Sequence, residues 1–213
     1  AQSKKCRAVI GKDTRRSSYM LEYALAAGLT ASGADAYIMH VTTTPSVAYA
    51  ARVHNFDCGI VVSASHNGFA DNGIKILNGS GEKLNDGTIS LVEDYLSGGL
   101  KAGGAPVGAP FASGAEVGSV VDFVAGRNGY IAHLISLAPE SLAGYKIGLD
   151  CANGAAYNIA RRVFRALGAT VVAIGCNPDG LNINDGCGST RPARLCALVK
   201  ARGLDVGLAF GRD

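Results

Sequence analysis

The segment CGIVVSASHNGFADNGIK, residues 58–75, joins an apolar run to a loop of small and polar residues. The apolar part, residues 58–62, predicts a buried strand, and the sequence Ser-Ala-Ser-His-Asn at 63–67 follows it directly. In α/β proteins, the loop at the carboxyl end of a buried strand is where reactive side chains are presented. We therefore expect the chemistry of this chain to lie between residues 60 and 74.

The segments before this stretch alternate between predicted strands and predicted helices. In chain order these elements are a strand at 6–10, a helix at 19–31, a strand at 36–41, a helix at 46–54 and the strand at 58–62. Ser17 or Ser18 is expected to cap the first helix. Strands that alternate with helices in this way indicate βαβ units and a largely parallel sheet.

Each of the three predicted parallel strands ends in a polar loop. These loops are residues 11–15, 42–45 and 63–67. Because ligands collect at the carboxyl ends of parallel strands, the three loops are expected to converge on one site.

The rest of the chain predicts a second α/β unit after a compositional break. A hairpin-like strand at 74–77 and a helix at 86–96 precede a stretch rich in Gly, Ala and Pro at 97–118. Further on we predict a helix at 119–137, a strand at 146–149, a helix at 156–167, a strand at 170–174, a helix at 192–202 and a strand at 206–210. This pattern predicts tandem α/β domains with mixed or parallel sheets: a first domain at 1–97, a linker at 98–118 and a second domain at 119–213.

Charge and composition argue against several classes of protein. The 213 residues carry 20 basic and 17 acidic side chains, a net charge of +3, mixed along the chain, which does not favour nucleic-acid binding. No apolar run approaches the ~20 residues of a membrane span, and the start of the chain lacks a signal-peptide pattern. The six cysteines form no CxxC pair, which favours a reduced, cytoplasmic protein over a zinc or disulfide framework.

Ser65 is the candidate reactive residue of the loop, and its chemistry has three interpretations. A serine nucleophile of a hydrolase is disfavoured, because the G-x-S-x-G elbow is absent and the adjacent His66 is poorly placed to act as its base. The second interpretation is a structural loop that is held by hydrogen bonds and has no catalytic role. Phosphoryl transfer is the third: a serine can carry a phosphate when nearby donors and a divalent cation neutralise the charge. Donors for such a phosphate are His66, Asn67, Lys75 and Arg15.

The residues around Ser65 resemble the pattern of a known family. SASHNGFADNGIK, residues 63–75, is similar to the phosphoserine loop of the α-D-phosphohexomutases, whose usual form is S-A-S-H-N-P followed by D-N-G-I-K. The segments at 11–37, 42–49, 149–157 and 177–190 resemble those of phosphoglucosamine mutases in particular, in the same order along the chain. The resemblance covers most of the chain apart from residues 100–118.

The resemblance implies a bacterial cytoplasmic isomerase that interconverts glucosamine 6-phosphate and glucosamine 1-phosphate, in amino-sugar metabolism leading to UDP-N-acetylglucosamine and peptidoglycan precursors. Ser65 would be the phosphorylated serine, and its phosphoryl oxygen would be one ligand of Mg²⁺. A hexosamine 1,6-bisphosphate would be the intermediate and activator. His66 and Asn67 would hold the loop, while Arg15 and Lys75 would stabilise charge or move protons. The implied partner is a small phosphosugar, with no nucleic acid or membrane, and a homodimer is possible.

The chain also departs from the family pattern. The G-T-D-G-I-R segment that usually precedes this region is not present before residue 11, and Gly68 stands where proline is usual. The usual D-G-D-G-D-R metal loop is represented only by Gly211, Arg212 and Asp213; one carboxylate cannot replace three as ligands of a hard cation. We therefore expect a portion of a four-domain mutase, with one and a half to two domains and little activity alone. A phosphomannomutase or phosphoglucomutase of the same superfamily, or a non-catalytic scaffold module, are the alternatives.

Overall fold

The computed structural model describes residues 5–99, 101–102, 105–106 and 111–211. The first part of the chain forms β1 (Arg7–Lys12), α1 (Arg16–Ala31), β2 (Asp35–Val41), α2 (Thr44–Val53), β3 (Cys58–Val62), β4 (Ile74–Asn78), α3 (Asp86–Leu96), β5 (Lys101–Ala102), β6 (Ala105–Pro106), β7 (Val120–Asp122) and α4 (Val124–Ser136). The second part forms β8 (Lys146–Asp150), α5 (Ala156–Ala166), β9 (Thr170–Ile174), α6 (Ala193–Arg202) and β10 (Val206–Ala209). A 3₁₀ turn, Gly114–Glu116, precedes β7.

The first sheet has five strands in the order β4-β3-β1-β2-β7. β1 pairs in parallel with both β2 and β3, as the alternation of strands and helices predicts. β4 runs antiparallel to β3, which confirms the predicted hairpin-like return. The carboxyl ends of β1, β2 and β3 therefore lie at the same edge of the sheet, and the loop at 63–67 begins there.

Both faces of this sheet are covered. Val9 and Ile10 are adjacent in β1 and both fully buried, and they belong to different apolar clusters because successive side chains of a strand point to opposite faces. Val9 packs with Val47 of α2, whereas Ile10 packs with Ala26 of α1. Burial on both faces explains the continuous apolar runs of these strands.

The first helix begins three residues earlier than predicted, and its expected serine cap is wrong. Arg15 occupies the N-cap position of α1 without a side-chain cap, so Ser17 and Ser18 lie inside the first turn. Ser18 Oγ instead donates to Asp13 Oδ1 at 2.6 Å. The predicted loop at 42–45 is also too long: α2 begins at Thr44 with Pro45 in its first turn, where a missing amide donor costs nothing.

The predicted helix at 119–137 is wrong at its start. Residues Val120–Asp122 form β7, which pairs in parallel with β2 at the edge of the first sheet, and the helix begins only at Val124. A three-residue strand has no readable periodicity, and its pairing partner Ala36 lies more than eighty residues earlier. Residues 100, 103–104 and 107–110 of the Gly/Ala/Pro-rich stretch lie outside the described residues.

The second sheet has three parallel strands in the order β10-β8-β9. Leu149 of β8 and Cys151, which follows β8, pack with Ala160 of α5 in the core of this part of the chain. Helix α4 links the two sheets: its His133 ring stacks on Tyr49 of α2 at 4.6 Å, and its Ile131 packs with Ile159 of α5. The α/β class with parallel and mixed sheets is thus confirmed, while the domain boundaries at 97 and 119 stay predictions.

Candidate functional site

The loop that carries Ser65 leaves the end of β3 and lies where the two sheets approach each other. Ser65 has a left-handed backbone conformation, with φ of 56°. This conformation costs roughly 1–2 kcal/mol for a residue with a Cβ, so surrounding contacts must hold it. Ser65 N donates to Ser63 Oγ at 3.1 Å, which fixes the loop from the strand side.

Arg15 holds the loop from below. Its side chain is completely buried, and its Nη2 donates to the carbonyl oxygens of Ser65 at 3.1 Å and Asn67 at 2.6 Å. Its Nε donates to the carbonyl oxygen of Gly68 at 3.2 Å. The planar guanidinium suits this task because its N–H groups form a rigid fork that can meet several acceptors at once. A charge buried in this way orders the backbone of the whole loop.

Asp13 compensates the charge of Arg15. The Asp13 carboxylate, itself 1 % exposed, forms an ion pair with Arg15 Nη1 and accepts from the Arg15 backbone amide at 3.0 Å. Ser18 Oγ donates to the same carboxylate, and Asn72 Nδ2 donates to Ser17 Oγ and Ser18 Oγ, both at 2.9 Å. The network therefore joins the end of β1, the start of α1 and the far end of the Ser65 loop.

A second donor reaches the same carbonyls from the second part of the chain. Asn184 Nδ2 donates to Ser65 O at 3.1 Å and to Asn67 O at 3.0 Å. Beside it, Thr14 Oγ1 donates to Asn153 O at 2.5 Å, so the loop after β1 also contacts the loop after β8. The Ser65 loop is thus clamped between residues that are far apart in sequence.

The hydroxyl of Ser65 is less constrained than its backbone. Ser65 Oγ lies 3.4 Å from His66 Nδ1, at the long end of hydrogen-bonding distance. Within the described part of the chain no ion pair or hydrogen bond joins His66 to a carboxylate, so the arrangement lacks the third group of a hydrolytic triad. The half-buried Ser65 side chain is left open to other chemistry.

Beside His66 opens a cavity of ≈ 620 Å³. Its walls are mostly apolar side chains of α4 and α5, including Tyr130, Ile159 and Val163, and it ends at Phe210 and Gly211 after β10. A Cβ placed on Gly211 would lie 3.0 Å from His66 Nε2, so the chain after β10 passes directly against the loop. No Arg or Lys is among the described residues that line this cavity, so its apolar part is poorly suited to a phosphate.

Sequence reasoning placed five residues at the site, and the structure brings them together in part. Ser65, His66 and Asn67 form the loop, and Arg15 lies beneath it. Lys75 is half-buried on β4, where it pairs with Val61 of β3 and engages in a further interaction of its own.

Two contacting residues were not singled out from the sequence. Asp13 stands in the GKDTR segment, and Asn184 stands in the polar loop after residue 181. Their segments were recognised as polar loops at strand ends, which is the signal that pointed to this region. No local pattern tells that Asn184 faces the loop at 63–67.

Two thiols lie close together in the apolar cluster of the second sheet. Cys151, buried after β8, and the half-buried Cys176, after β9, share a hydrogen bond that raises the pKa of Cys151 and lowers the pKa of Cys176 to about 7. Burial instead raises the pKa of Cys58 on β3 to about 11. All six cysteines of the chain are free thiols.

Comparison with known proteins defines the class. Residues 1–101 match the family model of the phosphoglucomutase/phosphomannomutase alpha/beta/alpha domain I. The fold matches a phosphoglucomutase/phosphomannomutase family protein from Burkholderia thailandensis with a TM-score of 0.77 at 26 % identity, covering 97 % of this chain and 44 % of that chain. A putative phosphomannomutase from Thermus thermophilus shares the fold with a TM-score of 0.72 at 19 % identity, covering 98 % of this chain and 47 % of that one. The resemblance to the phosphohexomutases that the motifs predicted is thus confirmed, with the domain I model matching residues 1–101.

Within that family the relatives include phosphoglucosamine mutases. The proteins of that name from Lachnoclostridium phytofermentans and Lachnospira eligens are each 54 % identical over 209 residues, covering 98 % of this chain and 45 % of theirs. The one from Brevibacillus brevis is 44 % identical over 212 residues, covering 100 % of this chain and 46 % of its own. The chain thus spans about half the length of the curated relatives it matches. No helix in the described ranges has the length and apolar character needed to cross a membrane.

Proposed function

We propose that this chain is the phosphoserine-bearing part of a phosphoglucosamine mutase, which interconverts glucosamine 6-phosphate and glucosamine 1-phosphate. The observation that carries the proposal is the geometry of Ser65. Its carbonyl is held by two donors, its backbone is left-handed, and its hydroxyl lies 3.4 Å from His66 Nδ1. The names of relatives at 44–54 % identity support glucosamine as the sugar.

In the proposed reaction Ser65 Oγ carries a phosphoryl group at the start of the cycle. Attack by a sugar hydroxyl breaks the bond between Oγ and phosphorus and forms a sugar bisphosphate, while the hydroxyl proton passes to the serine. After the sugar reorients, the serine attacks the other phosphate, which returns to Oγ, and its proton passes back to the sugar. No phosphate is gained or lost, so positioning and charge stabilisation are what the protein supplies.

The hydrogen bonds around Ser65 distinguish the residues that position the loop from those proposed to stabilise charge. Because the Arg15 guanidinium engages Asp13 and the carbonyls of the loop, we propose that it positions Ser65 rather than binding the phosphate itself. Lys75 remains a proposed charge-stabilising group. His66, expected to hold the loop, is proposed to join it in this role because its Nδ1 lies 3.4 Å from Ser65 Oγ. Asn67 contributes its carbonyl to the clamp, and its side chain is exposed.

The family resemblance also implies Mg²⁺, with a phosphoryl oxygen on Ser65 as one ligand. Among the described residues, no three of His, Cys, Asp or Glu are grouped closely enough to hold a metal ion. Asp13 is engaged by Arg15, and the buried Asp150 accepts from the amides of Ala152 and Gly188. These residues do not fit a Mg²⁺ site by themselves, so no step of the reaction is assigned to the metal here. Cytoplasmic location and a role before UDP-N-acetylglucosamine are likewise proposals from the resemblance.

The test is covalent labelling of Ser65. The protein is incubated with glucosamine 1,6-bisphosphate and Mg²⁺, and intact mass and peptide mapping locate any phosphate. We expect one phosphate on Ser65, its loss in Ser65→Ala, and its retention in Ser80→Ala, a control at an exposed serine. Absence of label on the unmodified chain contradicts the proposal and favours a non-catalytic scaffold. Label that survives Ser65→Ala contradicts the proposal by placing the phosphate on another residue.

The sugar is tested separately. The structural relative at 26 % identity is described as a phosphoglucomutase/phosphomannomutase family protein, so glucose and mannose 1,6-bisphosphates are the competing donors. Faster labelling by the glucosamine compound supports the proposed substrate. Faster labelling by the glucose or the mannose compound favours a phosphoglucomutase or phosphomannomutase instead.

A further inference from the structure

Asn184 contacts the Ser65 loop from the second part of the chain, and the proposed reaction assigns this contact no role. Its side-chain amide donates to the carbonyls of Ser65 and Asn67, the same two that Arg15 Nη2 contacts. The contact spans 119 residues of sequence to Ser65, so it joins the second sheet to the loop of the first.

The loop that carries Asn184 is itself fixed. Asn184 has a left-handed conformation with φ of 60°, and its backbone amide donates to Ala152 O at 2.8 Å. Further along the loop, the amide of Gly188 donates to the buried carboxylate of Asp150 at 2.9 Å. Since Asp150 ends β8, the position of the Asn184 amide is set by the second sheet.

Two donors on one carbonyl explain how the strained serine is held. The Ser65 carbonyl oxygen has two lone pairs and receives Arg15 from the first unit and Asn184 from the second. Rotation of Ser65 out of its left-handed conformation would move this carbonyl away from both donors. Either donor alone leaves one lone pair unsatisfied, so the conformation depends on both units.

We propose that Asn184 is a positioning residue, which holds Ser65 in its left-handed conformation and sets the orientation of its hydroxyl relative to the second sheet. The inference deepens the proposed function and rests on it for its catalytic meaning. Asn184 acts through the loop backbone and is not proposed to contact the sugar.

Two variants of Asn184 separate the donor from the backbone. Asn184→Gly keeps a residue that tolerates positive φ and removes the amide. Asn184→Asp is nearly isosteric, but an ionised carboxylate only accepts hydrogen bonds and would face two carbonyl oxygens. Asn177→Asp makes the same change of charge at an exposed position of the same unit, whose side chain is not part of the clamp.

The readouts are the Cα and Cβ chemical shifts of Ser65 and the hydrogen exchange of the Asn67 amide, which donates to Ala64 O at 3.3 Å. We expect both Asn184 variants to lose the left-handed shifts of Ser65 and to accelerate exchange at Asn67 by about fivefold to thirtyfold, the effect of losing one to two hydrogen bonds. In Asn184→Asp the shifts should return towards those of the unmodified protein below pH 4, because a protonated carboxyl regains a donor. Asn177→Asp should change neither.

Unchanged shifts and exchange in both variants overturn the inference. A uniform rise in exchange across the second sheet, without a specific change at Ser65, also overturns it by assigning Asn184 a general role in stability. Failure of Ser65 to accept phosphate in the unmodified chain refutes the proposed function instead, since the conformational readouts do not depend on phosphate.

Discussion

Replacing Arg15 with methionine tests the clamp most directly. Methionine keeps much of the apolar stem but removes the guanidinium. The buried Asp13 carboxylate then loses its ion-pair partner, and the carbonyls of Ser65, Asn67 and Gly68 each lose a donor. Breaking a buried ion pair from one side costs about 3–5 kcal/mol of the free energy of unfolding. That is a large share of the ~5–15 kcal/mol typical of a protein.

Guanidinium denaturation followed by circular dichroism gives the measurement. With a slope of roughly 4 kcal/mol per molar, the midpoint should fall by about 1 M. Arg16→Met is the matched control, because Arg16 is the exposed next residue; it should change the free energy of unfolding by less than about 0.5 kcal/mol. Adding Asp13→Asn to Arg15→Met should recover at least ~1 kcal/mol, since no uncompensated charge then remains.

Two results would refute this reasoning. A cost below about 1 kcal/mol for Arg15→Met would mean that the guanidinium is not buried against Asp13. A double variant that loses the sum of the two single costs would mean that Asp13 and Arg15 do not interact.

Three further predictions follow from backbone conformation, thiol pairing and packing. Ser65→Gly should be more stable than Ser65→Ala by about 1 kcal/mol, because φ is 56° and both lack the hydroxyl; equal midpoints in denaturation would contradict the left-handed backbone. Iodoacetamide should alkylate Cys176 at pH 7 much faster than Cys58, because a hydrogen bond with a neighbouring thiol lowers the pKa of Cys176 to about 7, whereas burial raises the pKa of Cys58 to about 11. The alkylation of Cys176 should become slower as the pH falls to 6. Peptide mapping checks the order in which the two thiols react. Gly11→Ala should lower the free energy of unfolding by about 1–3 kcal/mol, because its Cβ would lie 2.4 and 2.7 Å from two side-chain carbons. Gly28→Ala in α1, whose Cβ would meet nothing within 4 Å, should raise it by about 0.5–1 kcal/mol. Equal melting temperatures for the two variants would show that the strand around Gly11 relaxes freely.

The hydrophobic periodicity of the chain was sufficient for much of the fold. Residues 58–62, 86–96 and 170–174 form the predicted elements without a shift, because each is a long or strongly apolar run bounded by turn residues. The parallel arrangement of the first three strands followed from the two helices between them. The phosphoserine-like motif also indicated the loop and the family that the chain resembles.

Local pattern could not find features that depend on partners distant in sequence. β7 is only three residues long and is a strand because the free edge of β2 accepts it. Ser17 and Ser18 have the residue type of a helix cap, but Ser18 hydrogen-bonds to Asp13 and Ser17 accepts from Asn72 instead.

The candidate site shows the same division. Residue type and position after a strand marked Ser65 from its sequence context, since a small polar residue there is presented at a sheet edge. Its left-handed backbone and its two clamping donors, Arg15 and Asn184, could be recognised only once the two sheets were placed together. A hydrogen bond depends on a few ångströms of distance and on angle, and the folded arrangement of both sheets sets these quantities, whereas the sequence supplies only the donors and acceptors.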